Sequence, residues 1–253
     1  MSRRPYVVGN WKMHKTVAES EAFVQALLPR VAAAGGVDFG VCPPFLSLQP
    51  VVDSARGSQL TVFAQNMHAA DKGAFTGEVS APMLADVDVH GVLLGHSERR
   101  QYFGETDEAL REKVPKALDA GLVPMLCVGE TGDERKGGRT EDVVAGQLRG
   151  GLEDVAAERL AEVVVAYEPV WAIGTGDTAT PEQAQEAIAF IRGVLAELGA
   201  DAEAVRILYG GSVKVDNLEE LMALPDVDGA LVGGASLEPE AFAEMVSIAE
   251  RGA

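Results

Sequence analysis

Short runs rich in Val, Ile, Leu and Tyr alternate with segments of helical period along the chain, and this alternation limits the fold more than any other feature. The runs are Tyr6–Gly9, Phe39–Cys42, Leu60–Ala64, Gly91–Leu94, Val123–Val128, Val163–Tyr167, Ile207–Tyr209 and Ala230–Val232. Between them the period predicts helices over Val17–Val31, Leu46–Arg56, Ala81–Val87, Glu105–Ala120, Thr140–Asp154, Pro181–Leu198, Asn217–Ala223 and Pro239–Arg251. Thr180-Pro181-Glu182-Gln183 reads as an N-cap, a Pro at the first helical position and an acidic first turn; Ser236 to Glu240 reads similarly. Gly121 and Gly199 stand where helices should stop. Eight such pairs in 253 residues predict an α/β chain folded as a single (β/α)8 barrel, one domain over 1–253. Near-continuous apolar runs suit a parallel sheet covered on both faces. An open doubly wound sheet would carry a Gly-rich phosphate turn after its first strand, and Gly9-Asn10-Trp11-Lys12 is not one. The long aperiodic loop from Gln65 to Val79 is expected to make a contact or serve a site.

Charge narrows the partners. A net charge of −18 argues against nucleic acid and anionic membrane, since both ask for a basic footprint. Cys42 and Cys127 lie in apolar runs and read as small buried side chains, not as a disulfide or a zinc site. The apolar residues near Met1 are too few for a secretory signal, and no run approaches the ~20 residues of a membrane span, so a cytoplasmic protein is expected.

A barrel of this kind builds its site at the carboxyl ends of its strands. The first strand ends in Asn10 and Lys12, the fourth in Gly95-His96-Ser97-Glu98 and the sixth in Glu168. The seventh ends in Gly210-Gly211-Ser212 and the eighth in Gly233-Gly234-Ala235-Ser236. Each alone has a plain reading: a solvated lysine, a packing histidine, a polar strand terminus, two turns. Together they are an acid–base set beside two glycine-rich loops, whose peptide N–H groups can hold a phosphate without arginine. Such a set suits proton transfer next to a carbonyl, with Glu168 as base and His96 and Lys12 stabilising the oxygen charge. His96 opens a plausible helix start, which disfavours imidazolium, so a neutral ring is expected. The apolar stretch after Glu168 (Pro169, Val170, Trp171, Ala172 and Ile173, then Gly174, Thr175 and Gly176) reads as a lid, about 169–179, that keeps water from a labile enediol phosphate.

The chain resembles the triosephosphate isomerase family over essentially its whole length. The resemblance rests on Gly9-Asn10-Trp11-Lys12-Met13, Gly73-Ala74-Phe75-Thr76-Gly77-Glu78, Gly95-His96-Ser97-Glu98-Arg99-Arg100, Ala166 to Gly176, Tyr209-Gly210-Gly211-Ser212-Val213 and Gly233-Gly234-Ala235-Ser236-Leu237, in that order. The family is itself the standard example of a glutamate base with a neutral histidine under a closing loop. The resemblance implies interconversion of dihydroxyacetone phosphate and glyceraldehyde 3-phosphate. It implies Glu168 as base, His96 as electrophile, and Asn10 and Lys12 on the substrate oxygens. Glu98 would place Lys12. The peptides of Gly174, Ser212, Gly233 and Gly234 would hold the phosphate, and Tyr209, Gly210 and Gly211 would latch the lid. It also implies a homodimer without metal or cofactor, with contacts at His14, Gln65, Phe75 and Thr76 in and near a loop of about 65–79. Three positions depart from what is common in the family: Asp177 for Lys, His14 for Asn and Val215 for Pro.

Rival readings fail on particular residues. A Schiff-base aldolase would need a lysine where Glu168 stands, and a metal epimerase would need clustered ligands where His14, His68, His90 and His96 are scattered. A non-catalytic phosphate-binding or scaffold protein of the same fold should have lost Lys12, His96 or Glu168, and all three are present.

Overall fold

The strands are β1 (Tyr6–Asn10), β2 (Asp38–Cys42), β3 (Leu60–Ala64), β4 (Gly91–Leu94), β5 (Val123–Val128), β6 (Val164–Tyr167), β7 (Arg206–Tyr209) and β8 (Gly229–Val232). They run parallel in sequence order, and β8 pairs back onto β1, which closes a barrel. The computed structural model describes residues 3–173 and 178–252. Ten helices are described: α1 (Val17–Val31), α2 (Leu48–Ala55), α3 (Ala81–Asp86), α4 (Ser97–Phe103), α5 (Asp107–Asp119), α6 (Gly132–Lys136), α7 (Thr140–Leu152), α8 (Pro181–Glu197), α9 (Val215–Met222) and α10 (Pro239–Arg251). The expected (β/α)8 barrel is the fold, and each expected strand lies within one residue of its observed bounds. None of the described helices is long and apolar enough to cross a membrane.

The core is in two parts. Tyr6, Val8, Phe63, Leu93, Met125, Val164, Ala166, Leu208 and Leu231, with Cys42 and Cys127, fill the barrel. A larger shell of Val, Leu, Ile and Ala lies between the strands and the helices. Both cysteines are buried and unbridged, and burial pushes their thiols up in pKa. Side chains alternate in and out along a strand. Extending the inward rows past the strand ends therefore aims Asn10, Gln65, Glu168, Gly210 and Gly233 at the barrel mouth.

Local signals hold where a cap closes on itself. Thr16 with Glu19 begins α1, and Thr180 with Gln183 begins α8, each as a reciprocal capping box. Ser236 is different. Its hydroxyl donates to the Gly233 carbonyl at 2.7 Å, residues Gly234–Leu237 make a separate 3-10 turn, and α10 starts after Glu238 with no side-chain cap. The segment expected as one helix over Leu46–Arg56 is a 3-10 turn at Phe45–Ser47 followed by α2. Thr106 caps α5, leaving Glu105 buried before it and paired with Lys113. Val215 is the first residue of α9, a position proline would also tolerate.

Candidate active site

The end of β1 is held in an unusual backbone. Lys12 has φ +52°, in the left-handed region that a side chain with a Cβ seldom occupies. Two neighbours over-determine it. Asn10 Oδ1 accepts the Lys12 N–H at 3.0 Å, and Gln65 Nε2 donates to the Lys12 carbonyl at 2.8 Å and the Cys42 carbonyl at 2.7 Å. The Lys12 ammonium then lies 2.6 Å from Glu98 Oε1. The Gln65 amide is thus hydrogen-bonded within its own chain.

His96 caps α4 through its ring, with Nδ1 accepting the Glu98 N–H at 3.2 Å. An accepting Nδ1 assigns the proton of the neutral ring to Nε2. Nε2 faces Glu168 Oε1 at 3.0 Å, and Glu168 Oε2 accepts the Ser97 N–H at 2.9 Å. The Glu168 N–H still donates to the Val128 carbonyl at 2.7 Å, so the carboxylate rides on the rigid end of β6. His96 is 5% exposed and Glu168 2%. Room for this backbone comes from the turn after β5: a Cβ at Gly129 would sit 1.8 Å from the Glu168 carbonyl oxygen.

Burial alone would raise the Glu168 pKa, but the adjoining imidazole, the Ser97 N–H and Lys12 outweigh it and hold the carboxyl below its usual range. Burial alone would lower the His96 pKa, but the Glu168 carboxylate outweighs that and raises it. The neutral ring expected for His96 therefore meets opposed influences. Its Nδ1 acceptor role favours neutrality, while Glu168 favours charge as long as the two groups touch.

Asn10, Lys12, His96 and Glu168 line one cavity of about 500 Å3 together with Gly210, Gly211, Ser212, Gly233 and Gly234. Ile173 closes one side. Lys214, which the strand-end reading did not single out, also lines it. Behind it, Asn217 Nδ2 donates to the Ser212 carbonyl at 2.9 Å and steadies that loop.

The other missed residue is Glu130, just past β5 and fully buried. Its carboxylate accepts from the Tyr167 hydroxyl at 3.1 Å, the Trp171 indole N–H at 2.9 Å and Arg135 at 3.2 Å. The Arg135 guanidinium also sits 4.5 Å from the Trp171 ring centre. The end of β5 carries a carboxylate as polar as that of β6, and this was the available signal. Pro169 precedes a 3-10 turn at Val170–Ala172, whose Ala172 is buried. Tyr209 takes a backbone hydrogen bond from Ala179, and burial pushes its hydroxyl up to about 12. Gly174, Thr175, Gly176 and Asp177 lie outside the described residues, so the expected third phosphate contact and the hinge are not placed.

A larger cavity, about 720 Å3, opens beside Trp171 between Arg135, Lys136 and Gln101, but it contains neither His96 nor Glu168. His14, Phe75 and Thr76 are exposed and do not line the Glu168 cavity. Among the described residues, no three His, Cys, Asp or Glu side chains gather as a metal site.

The family model for triosephosphate isomerase matches residues 5–249. The chain belongs to the triosephosphate isomerase family. It is 54% identical to the triosephosphate isomerase of Carboxydothermus hydrogenoformans, over 96% of this chain and 98% of that one. It is 53% identical to that of Rubrobacter xylanophilus, over 98% of each chain. The crystal structure of the Bartonella henselae triosephosphate isomerase superposes with a TM-score of 0.88 at 38% identity, covering 97% of this chain and 98% of that one.

Proposed function

We propose that the cavity between Glu168 and Gly233 binds a triose phosphate, and that the chain interconverts dihydroxyacetone phosphate and D-glyceraldehyde 3-phosphate through an enediol. The observation that carries this reading is the buried Glu168–His96 pair, 3.0 Å apart, in one cavity of small-substrate size with the glycine-rich turns after β7 and β8. Glu168, ionised by its surroundings, takes a proton from the carbon beside the carbonyl. The C–H electron pair becomes the C=C bond, and the carbonyl electrons move to oxygen. His96 Nε2–H and the Lys12 ammonium stabilise that oxygen, with Asn10 on the same side. His96 Nε2 gives its proton to that oxygen and takes up the proton of the neighbouring hydroxyl, so the carbonyl changes carbon, and return of the carbon-bound proton from Glu168 to the neighbouring carbon completes the isomerisation with no net oxidation. To reach carbon, Glu168 must let go of His96 and the Ser97 N–H. Its release removes the charge that raises the His96 pKa, and the ring returns toward the neutral donor the step requires.

Glu98 holds Lys12, while Ser212, Gly233, Gly234 and Gly174 are assigned to the phosphate. Residues of about 169–179 serve as a lid, which Glu130 anchors on one flank and Tyr209 on the other. The chain acts as one domain in the cytoplasm, in glycolysis and gluconeogenesis. Two copies pair through the segments after β1 to β4, where Met13 is 94% exposed, Leu46 85%, and Tyr102 and Phe103 69% each. Those segments are neighbours in the closed barrel, and the loop of about 65–79 with Phe75 and Thr76 lies among them.

An isomerase assay coupled to a dehydrogenase tests the reading. The wild type should turn over glyceraldehyde 3-phosphate, and Glu168→Gln should lower kcat by about 10^2–10^4-fold, the usual worth of a positioned general base. Rapid turnover by both proteins would remove Glu168 from the chemistry; turnover by neither would remove the function.

A further inference from the structure

We infer that Lys15 is a positioning residue for the phosphate loop after β8, acting from outside the cavity through the Leu237 carbonyl. The inference deepens the reading of Gly233 and Gly234 as phosphate contacts and rests on it.

Lys15 is the second lysine of its loop with a left-handed backbone, at φ +73°. Such a conformation in a side chain with a Cβ persists only where the surroundings impose it. Here the ammonium is held on three sides. It donates to the Leu237 carbonyl at 2.8 Å and lies 5.4 Å from the Trp11 ring centre and 4.9 Å from that of Phe23. Those two rings are buried and packed edge to face at 4.8 Å, so the cradle is rigid.

Leu237 closes the 3-10 turn that Gly234 opens. The turn is tied at its start as well, because the Gly233 carbonyl accepts from both the Ser236 N–H at 2.9 Å and the Ser236 hydroxyl at 2.7 Å. It also packs directly on β1, where a Cβ at Gly9 would come within 2.8 Å of Ser236 Cβ. Gly233, Gly234 and Ala235 line the Glu168 cavity, and Lys15 does not. Lys15 thus fixes the far end of a short, stiff turn whose near end faces the ligand. A charge-assisted bond at that end holds the angle of the Gly233 and Gly234 peptides. It also ties them to the segment after β1 that bears Lys12, next to Asn10 at the strand's end, so that oxygen and phosphate contacts keep one spacing.

Three variants test this. Lys15→Met keeps the stem and removes the donor, Lys15→Arg keeps charge and donors, and Lys15→Gly relieves the backbone without supplying a donor. Inorganic phosphate is titrated calorimetrically, and KM and kcat are read with glyceraldehyde 3-phosphate. Lys15→Met and Lys15→Gly should weaken phosphate binding and raise KM together by about 3–10-fold, with kcat within about twofold, and Lys15→Arg should restore both. Unchanged phosphate affinity in Lys15→Met, whether or not its melting temperature falls, would overturn the inference and leave a packing role. Restoration by Lys15→Gly would overturn it in favour of backbone strain. Wild type that binds phosphate without isomerising would sink the isomerase reading and leave Lys15 to the phosphate titration. Wild type that binds no phosphate would overturn both.

Discussion

Glu168 and His96 hold each other when nothing lies between them, and that contact gives the free protein a signature in pH. The carboxyl sits below its ordinary 4.5 and the imidazole above its ordinary 6.5. Stability from the lowered Glu168 is present above about pH 4.5 and is lost as pH falls through its folded value. Stability from the raised His96 is complete below about pH 6.5 and is lost as pH rises through its folded value. The two overlap between these limits. The stability difference between wild type and Glu168→Gln should therefore peak near about pH 5.5 and shrink on both sides. Melting curves of the two proteins from roughly pH 4 to 9 measure it, and a difference independent of pH would show that the pair stays uncharged.

Elements serve the site in pairs. β6 carries the carboxylate, while the turn after β5 supplies both its space, at Gly129, and the anchor of the stretch that follows it, at Glu130. Glu130 is buried and accepts three donors from β6, the turn at Val170–Ala172 and α6, so its removal should be felt at all of them. Glu130→Ala deletes the acceptor shared by the Tyr167 hydroxyl and the Trp171 indole. It should cost about 1–3 kcal/mol in denaturant unfolding, the usual penalty for stranding buried donors. Glu130→Gln keeps an acceptor oxygen and should cost less. Equal losses in the two would mean that packing volume, and not hydrogen bonding, is what Glu130 supplies.

At the scale of the molecule, large apolar side chains are exposed after four consecutive strands of the barrel. Met13, Leu46, Phe75, Tyr102 and Phe103 are all exposed in the segments that follow β1, β2, β3 and β4, the last two at the end of α4. Large apolar side chains exposed on neighbouring segments are what an association surface would use. Leu46, 85% exposed, should tolerate substitution in the fold but not in a dimer. Sedimentation equilibrium should find the wild type as a dimer and Leu46→Lys shifted toward monomer. Activity should fall with the dimer, because Met13 adjoins the strained Lys12 and loses its cover. A monomeric wild type with full activity would refute the arrangement.

The order of the strands and longer helices was legible from period and length alone, though not the short α4 and α6, because a buried parallel strand must be apolar throughout and a covering helix must be apolar on one face. The grouping of the strand-end residues Asn10, Lys12, His96 and Glu168 was legible too, since the ends of parallel barrel strands all meet at one mouth. Tertiary structure decided what depends on neighbours distant in sequence. Gln65 became a clamp on Lys12, Ser236 turned back to Gly233 instead of capping α10, and Glu130 gathered donors from three elements. It also set the Glu168 and His96 charges against each other. A side chain's pKa and hydrogen bonds are fixed by whatever the barrel's closure brings within a few ångströms, and no local pattern encodes that distance.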